Sequence, residues 1–239
     1  MTQNRIVPYF LDSKSRDTFL IFPGGAYQRT SPREATPVAR RVNQIKKHAA
    51  VYEYRRELTR YPEILDDAIE QISGFMKDSR IRRLFLMGFS AGGHLALLVM
   101  ETQPAWFRGG ILAYPVVTGK TDFCHAPSIN NLLGDDCSNE RREEISLEDH
   151  VPDNCPPMFL FHTVDDGVVP IENSLFLIQS LRKKNIPVEA HLYPHGQHGV
   201  SLADESTAFT DKNPKEFAKE NQHLSGWFDL MIAWLDTIQ

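Results

Sequence analysis

Leu84 to Met87 is a short, unbroken apolar run, and Gly88-Phe89-Ser90-Ala91-Gly92 follows it directly. The run reads as a strand buried on both faces, because only a sheet covered on both sides favours apolar residues at successive positions. After Gly92 the sequence stays almost wholly apolar to Met100, long enough for a buried helix. A strand that turns through G-x-S-x-G into a helix is a nucleophile elbow, whose tight turn lifts one serine above the sheet. Gly88 and Gly92 have a steric reason to be glycine, since a side chain at either would collide across that turn. The pentapeptide alone arises by chance. With a strand before it and a helix after it, it marks Ser90 as a candidate nucleophile and calls for an α/β fold.

Strands and helices alternate on both sides of the elbow. Residues 5–11 suit one short peripheral strand, and Thr18 to Phe22 a strong one that runs into Pro23-Gly24-Gly25-Ala26-Tyr27. Ser31-Pro32-Arg33-Glu34 has the form of a helix start, with serine at N-cap, proline at N1 and glutamate at N3 closing a capping box. That helix is expected to reach about Lys47, with Val38, Val42 and Ile45 on one face. Ala50 to Tyr54 is the next strand, and a helix opening at Tyr61-Pro62 keeps its period through Ile64, Leu65, Ala68, Ile69, Ile72 and Phe75. Beyond the elbow, Gly109 to Tyr114, Met158 to His162 and Val188 to Tyr193 read as strands. Ile171 to Lys184 reads as a helix carrying Leu175, Ile178 and Leu181 inward, and 217–237 as one final helix. Residues 116–156 are irregular, with helical pieces near 129–133 and 140–148, and the polar stretch 204–216 is expected to be exposed.

This alternation implies a mostly parallel central sheet with helices on both faces, and a single domain over residues 1–239. Residues 116–156 would be an insertion that shapes the pocket, too short for a large lid. In such a sheet, chemistry sits beyond the carboxyl ends of the strands. The loops at 23–27, 88–92, 163–170 and 194–199 are therefore the ones that matter.

Those loops hold what acyl transfer needs. A serine hydroxyl is a weak nucleophile at neutral pH and must hand its proton to a base. Histidine suits that work because its pKa lies near neutrality, and an acid must hold its tautomer. The base is His198 or His195, both within Pro194-His195-Gly196-Gln197-His198-Gly199, and the flanking glycines and longer reach favour His198. The acid is Asp165 or Asp166; Asp165, nearer the strand end, is favoured, with Asp166 steadying the turn. His162, inside or at the end of a strand, is expected to pack, and His94, on the helix behind Ser90, to pack in the core or brace the site. An oxyanion hole calls for fixed backbone N–H groups: one from Ala91, after the nucleophile, and one from Gly25 or Gly24.

The remaining features exclude more than they assign. A net charge of −5 and a pI near 6.0 argue against nucleic acid or an anionic membrane as partner. The arginine pairs at 40–41, 55–56, 82–83 and 141–142 are scattered and read as solvated faces or helix ends. No apolar stretch approaches a membrane span, and Met1 to Asp17 lacks the pattern of a secretory signal. Cys124, Cys137 and Cys155 are odd in number and spaced unlike a zinc site, which suits reduced thiols in a cytoplasmic protein. No metal or cofactor is expected, and nothing here sets an oligomeric state.

With these residues in place, the sequence resembles the α/β-hydrolase superfamily, and within it the small bacterial acetylesterases, acetylxylan esterases and feruloyl-esterase-like enzymes. The resemblance runs through PGGAY, SPREATPVA, RYPEILDDA, GFSAGGH, AYPV, SINNLLG, HTVDDGVVPIENSL and YPHGQHGVSLA. It implies Ser90 as nucleophile, Asp165 as acid, His198 as base, and Gly24/Gly25 with Ala91 as oxyanion hole. It also implies a small-molecule ester as substrate, with a short acyl group, an acetyl on a sugar or small alcohol. Ala26 stands where many relatives have a third glycine, so the acyl pocket is expected to differ there. A serine peptidase of the same fold is the alternative enzyme, and a catalytically silent binding module the alternative outside enzymes.

Overall fold

The computed structural model describes residues 4–54 and 60–238. Among the described residues, seven strands form one sheet in the order β1-β3-β2-β4-β5-β6-β7. They are β1 (Arg5–Tyr9), β2 (Arg16–Phe22), β3 (His48–Glu53), β4 (Ile81–Phe89), β5 (Phe107–Ala113), β6 (Met158–Thr163) and β7 (Val188–Tyr193). Only β1, at one edge, runs antiparallel to its neighbour. The helices are α1 (Thr36–Gln44), α2 (Glu63–Phe75), α3 (Ala91–Thr102), α4 (Ala126–Leu133), α5 (Asn139–Glu144), α6 (Glu172–Lys183), α7 (Pro214–Glu220) and α8 (Trp227–Thr237).

Strand parity sorts the core into two layers. Leu20, Phe22, Leu84, Leu86, Leu112 and Leu160 pack with α2, α3 and α6, while Phe19, Ile21, Phe85, Met87, Ile111, Phe159 and Phe161 pack with α1 and α8. Because both faces are covered, the central strands tolerate no polar alternation, and that is why they read as continuous apolar runs. The elbow helix α3 is buried from Ala91 to Met100. Each large apolar side chain there contributes roughly 1.5–3 kcal/mol relative to exposure, so the helix behind Ser90 is firmly seated. From β2 the chain crosses to β3 on one side, and the sheet continues through β4 on the other. The strand order therefore reverses between β2 and β4, and their loops face each other across the crevice where ligands bind in such sheets.

Several elements differ from the sequence expectations. No continuous helix forms from Ser31 to Lys47: a short 3₁₀ turn covers Pro32–Glu34 and α1 begins at Thr36. Pro37 explains the break, since it lacks the amide that would bond to the Arg33 carbonyl. Ser31 makes no side-chain cap, and Glu34 turns into the core instead of back to Ser31. The final helix is split in two: Asn213 caps α7, whose end at Glu220 is separated from α8 by a turn around the buried Leu224. On α6, Leu177 and Leu181 face the core and Leu175 is exposed. Within 204–216, mostly exposed as expected, Thr207 is buried.

Arg82 and Arg83 are not free solvated groups; with Lys47 they hold the buried carboxylate of Asp17 at 2.8–2.9 Å. Arg142 pins the 116–156 segment by donating to the carbonyls of Cys137 and Gly119. The pair at 55–56 lies outside the described residues. Among the described residues, no helix is long and apolar enough to cross a membrane.

Candidate active site

Ser90 sits between β4 and α3 at φ 52°, ψ −124°, a conformation that a non-glycine residue holds only under constraint, at roughly 1–3 kcal/mol. The constraint is visible on both sides of the turn. The Ser90 amide donates to the Ala113 carbonyl of β5, and its carbonyl accepts from Val116 and Gly93. A Cβ on Gly88 would lie 2.5 Å from Gly93 Cα, and one on Gly92 would lie 2.1 Å from the Phe22 carbonyl oxygen. The two glycines thus serve different contacts. Gly88 lets strand and helix close on each other, and Gly92 lets the helix start reach the end of β2.

The Ser90 hydroxyl lies 2.8 Å from Nε2 of His198, whose Nδ1 lies 2.7 Å from Oδ2 of Asp166. Asp166 is buried and its other oxygen accepts from the amides of Val168 (2.8 Å) and Val169 (3.0 Å). Burial opposes ionisation of this carboxyl, but hydrogen bonds from His162, His198 and the Val169 amide outweigh it and hold the pKa well below the usual carboxylate range. His162, expected only to pack, is fully buried and approaches the same oxygen at 3.3 Å. Its Nε2 also faces the Val169 carbonyl at 3.1 Å, which can only accept, so that nitrogen carries the proton and Nδ1 accepts from Ser174.

Asp165 does not reach His198. Its carboxylate accepts from His195 Nδ1 (2.9 Å) and the Gly196 amide (2.8 Å) in an exposed pair. The correction follows from the turn after β6. Thr163 ends the strand, Val164 and Asp165 project into solvent, and Asp166 folds inward by capping the amides two and three residues ahead. Two adjacent aspartates thus meet two nearby histidines in parallel, 165 with 195 and 166 with 198.

The loop after β2, expected to supply an oxyanion-hole amide, also separates its glycines. Gly24 cannot supply a free donor, because its N–H is engaged by Glu34 Oε2 at 2.7 Å. It needs to be glycine for another reason: a Cβ there would lie 2.9 Å from both Ser90 Cβ and Glu34 Oε2. Gly25, at φ +136°, can be replaced by no other residue without collision with Arg29. Among the described residues, the Gly25 and Ala91 amides have no hydrogen-bond acceptor in the protein. Ala91 opens α3, where the first-turn amides have no acceptor within the helix.

Beside Ser90 lies a cleft of ≈ 550 Å³ lined by Gly25, Ala26, Arg29, Arg33, His125, His198 and Phe209, among others. His125 enters it from the start of α4, and burial with the nearby His198 lowers its pKa. His94 braces the elbow from behind: Tyr27 bonds its Nδ1 and its Nε2 faces the Ile145 carbonyl, while burial lowers its pKa to about 4. It is therefore neutral and ties α3 to the 116–156 segment. The geometry brings a serine hydroxyl, an imidazole, an ionised carboxylate and the unbonded amides of Gly25 and Ala91 around one opening, a set suited to acyl transfer.

The sequence profile of the prolyl oligopeptidase family matches residues 62–224, more than half of the chain. The chain belongs to the prolyl oligopeptidase family. The chain is 33% identical to an endo-1,4-beta-xylanase B from Butyrivibrio fibrisolvens, over 81% of this chain and 34% of that protein. It is 30% identical to an acetylxylan esterase from Xylanibacter ruminicola, over 49% of this chain and 26% of that protein. The chain thus spans about a third or less of the length of these curated relatives. A crystal structure of an acetyl ester-xyloside bifunctional hydrolase from Caldicellulosiruptor lactoaceticus superposes with a TM-score of 0.84 at 33% identity, covering 98% of this chain and 88% of that one. The fold of this prolyl oligopeptidase family chain is the α/β-hydrolase fold, with no large lid among the described residues.

Proposed function

We propose that this protein is a serine carboxylic-ester hydrolase that removes short acyl groups, acetyl first among them, from sugars or small alcohols. The observation that carries the proposal is the unbroken relay from Ser90 Oγ through His198 to Asp166, at 2.8 and 2.7 Å. In this reading Ser90 attacks the ester carbonyl while its proton passes to His198 Nε2. The carbonyl oxygen becomes an oxyanion facing the amides of Gly25 and Ala91, where each such donor is worth about 10²–10³ in rate. The tetrahedral intermediate collapses, the C–O bond to the alcohol breaks, and His198 returns the proton to the departing oxygen. Water, deprotonated by the same imidazole, then hydrolyses the acyl-Ser90 ester. Asp166 stays ionised throughout and stabilises the imidazolium.

The acyl preference rests on the modest cleft and on the 116–156 segment, whose Ile129, Leu132, Leu133, Ile145 and Leu147 are buried in the core rather than exposed to cover a lipid chain. The sugar rests on the acetylxylan esterase and acetyl ester-xyloside hydrolase to which the chain is similar. We further propose that residues 1–239 work as one domain, and that the protein is cytoplasmic and binds no nucleic acid. The free thiols of Cys124, Cys137 and Cys155 and the net charge of −5 support this. The family name favours a second reading, peptide-bond hydrolysis, which the same relay could perform. A substrate panel decides. The proposal expects turnover of acetylated xylo-oligosaccharides, 4-nitrophenyl acetate faster than the octanoate, and little action on aminoacyl 4-nitroanilides. Faster cleavage of the anilides than of any ester would replace it with the peptidase reading.

A further inference from the structure

Glu34 is a buried carboxylate with no cation within ion-pair distance among the described residues. A group of this kind is costly unless strong hydrogen bonds hold it, so its partners show what it is there to fix. Oε2 accepts from the Gly24 amide at 2.7 Å and Oε1 from the Tyr114 hydroxyl at 2.7 Å. The same hydroxyl accepts from the Ser201 amide at 2.9 Å, and the Tyr114 ring packs edge-on against His198 with centroids 4.9 Å apart. The residue before it, Arg33, donates to the carbonyls of Gly199 and Thr207, and its own carbonyl accepts from Ser201 Oγ at 3.0 Å. The 3₁₀ turn Pro32–Glu34 therefore clips the loop after β2 to the loop that carries His198.

The clip fixes the direction of one peptide plane. Gly24 is held at both ends: its N–H by Glu34, and its carbonyl by the Ser31 amide at 2.8 Å. A trans peptide is planar with N–H and C=O pointing oppositely, so a Gly24 carbonyl fastened to Ser31 turns the Gly25 N–H away from Ser31. That amide has no acceptor in the protein among the described residues, and Gly25 lines the cleft together with Ser90 and His198. We infer that Glu34 is a positioning residue, which holds the Gly24–Gly25 peptide so that the Gly25 amide meets the developing oxyanion, and ties that loop through Tyr114 to the base. The inference rests on the esterase reading above.

Glu34→Gln tests it with little change in shape. An amide has one acceptor where the carboxylate has two, so Gly24 N–H and Tyr114 O–H can no longer both be satisfied. Loss of a whole oxyanion donor costs about 10²–10³, and misdirecting one should lower kcat for 4-nitrophenyl acetate by about 10- to 100-fold. KM is expected to stay within about twofold, because an ester in its ground state makes little use of the hole. Affinity for an aryl trifluoromethyl ketone, which Ser90 would trap as an oxyanion, should fall in step with kcat. Ser31→Pro is the second variant: Ser31 already has φ −71°, so proline fits while removing the N–H that holds the Gly24 carbonyl. It should show the same split, smaller in size, and serves alone if Glu34→Gln does not fold. Unchanged kcat and ketone affinity, or a loss carried by KM alone, would overturn the inference. A wild-type protein that hydrolyses no ester would instead overturn the esterase reading, so the two fail separately.

Discussion

Two aspartate–histidine pairs lie side by side at the carboxyl end of this sheet, with nearly equal hydrogen-bond lengths and different surroundings. Asp165 and His195 are joined at 2.9 Å with side chains 51% and 79% exposed. Asp166 and His198 are joined at 2.7 Å with side chains 0% and 14% exposed. In water the first pair is screened and contributes little beyond steadying its loop. In the second, low dielectric strengthens each interaction, and amides of Val168 and Val169 fix the carboxylate before any substrate arrives. The same two residue types make an exposed loop fastener in one place and, in the other, a buried hydrogen-bonded chain to Ser90 that we propose relays its proton. Hydrogen-bond length does not separate them; burial and the additional donors do.

The comparison breaks first at Asp166. Replacing it with Asn keeps the shape but removes the charge that holds the His198 tautomer, and kcat on 4-nitrophenyl acetate should fall by about 10⁴-fold. If Asp165→Asn caused the larger loss, the assignment of the two pairs would be reversed. Ser90→Ala, which removes the proposed nucleophile, should be at least as severe without lowering Tm much, because alanine keeps the Cβ and the backbone hydrogen bonds of the turn and loses only the hydroxyl.

A second test uses acid. The pKa of Asp166 is depressed on folding, so its stabilising contribution is present above the unfolded carboxylate value near 3.9 and is lost as pH falls below it toward the folded value. Urea midpoints of Asp166→Asn should therefore vary less than wild type below about pH 4. Glu101 should behave with the opposite sign. Both its oxygens are buried with no hydrogen-bond partner among the described residues, and burial with the nearby Glu148 raises its pKa. Its contribution is present below the unfolded pKa and is lost as pH rises through the higher folded value. Glu101→Met is thus expected to stabilise the protein by about 1–3 kcal/mol above neutral pH, and by less in acid, as read from urea midpoints at pH 5 and pH 8. No pH dependence in that difference would mean the carboxyl finds a partner.

The smallest effect belongs to the exposed pair. Asp165→Asn and His195→Ala should each change kcat by no more than about threefold, with a modest loss of loop order seen as faster proteolysis near Gly196.

Much of this architecture was legible because it depends on local pattern. The segments 18–22, 84–87, 109–114 and 158–162 read as strands, those with unbroken apolar runs as strands covered on both faces, and G-x-S-x-G between strand and helix read as a turn that presents Ser90 above the sheet. His198 followed from loop length and glycine spacing. Other features depended on contacts that no local pattern encodes. Glu34 looked like the third residue of a capping box, and the sequence carried no sign that its carboxylate would turn toward Gly24 and Tyr114, ten and 80 residues away. Pro37, which breaks that expected helix and opens α1 instead, was the available clue. His162 read as a packed strand residue, since its bond to Asp166 depends on how tightly the turn after β6 folds back.

The choice between Asp165 and Asp166, and between Gly24 and Gly25, lies at the same boundary. The sequence by itself determined the fold class, the glycine turn that presents Ser90 and the loops that matter, because apolar runs and a strand–G-x-S-x-G–helix turn are properties of short segments. Which of two neighbouring carboxylates faces the histidine, and which of two neighbouring amides is left free, differ by one residue and therefore by the direction of one turn. The tertiary structure decided both. It buried Asp166 beneath His198 and left Asp165 in solvent, and it engaged the Gly24 amide with Glu34 so that the Gly25 amide remained.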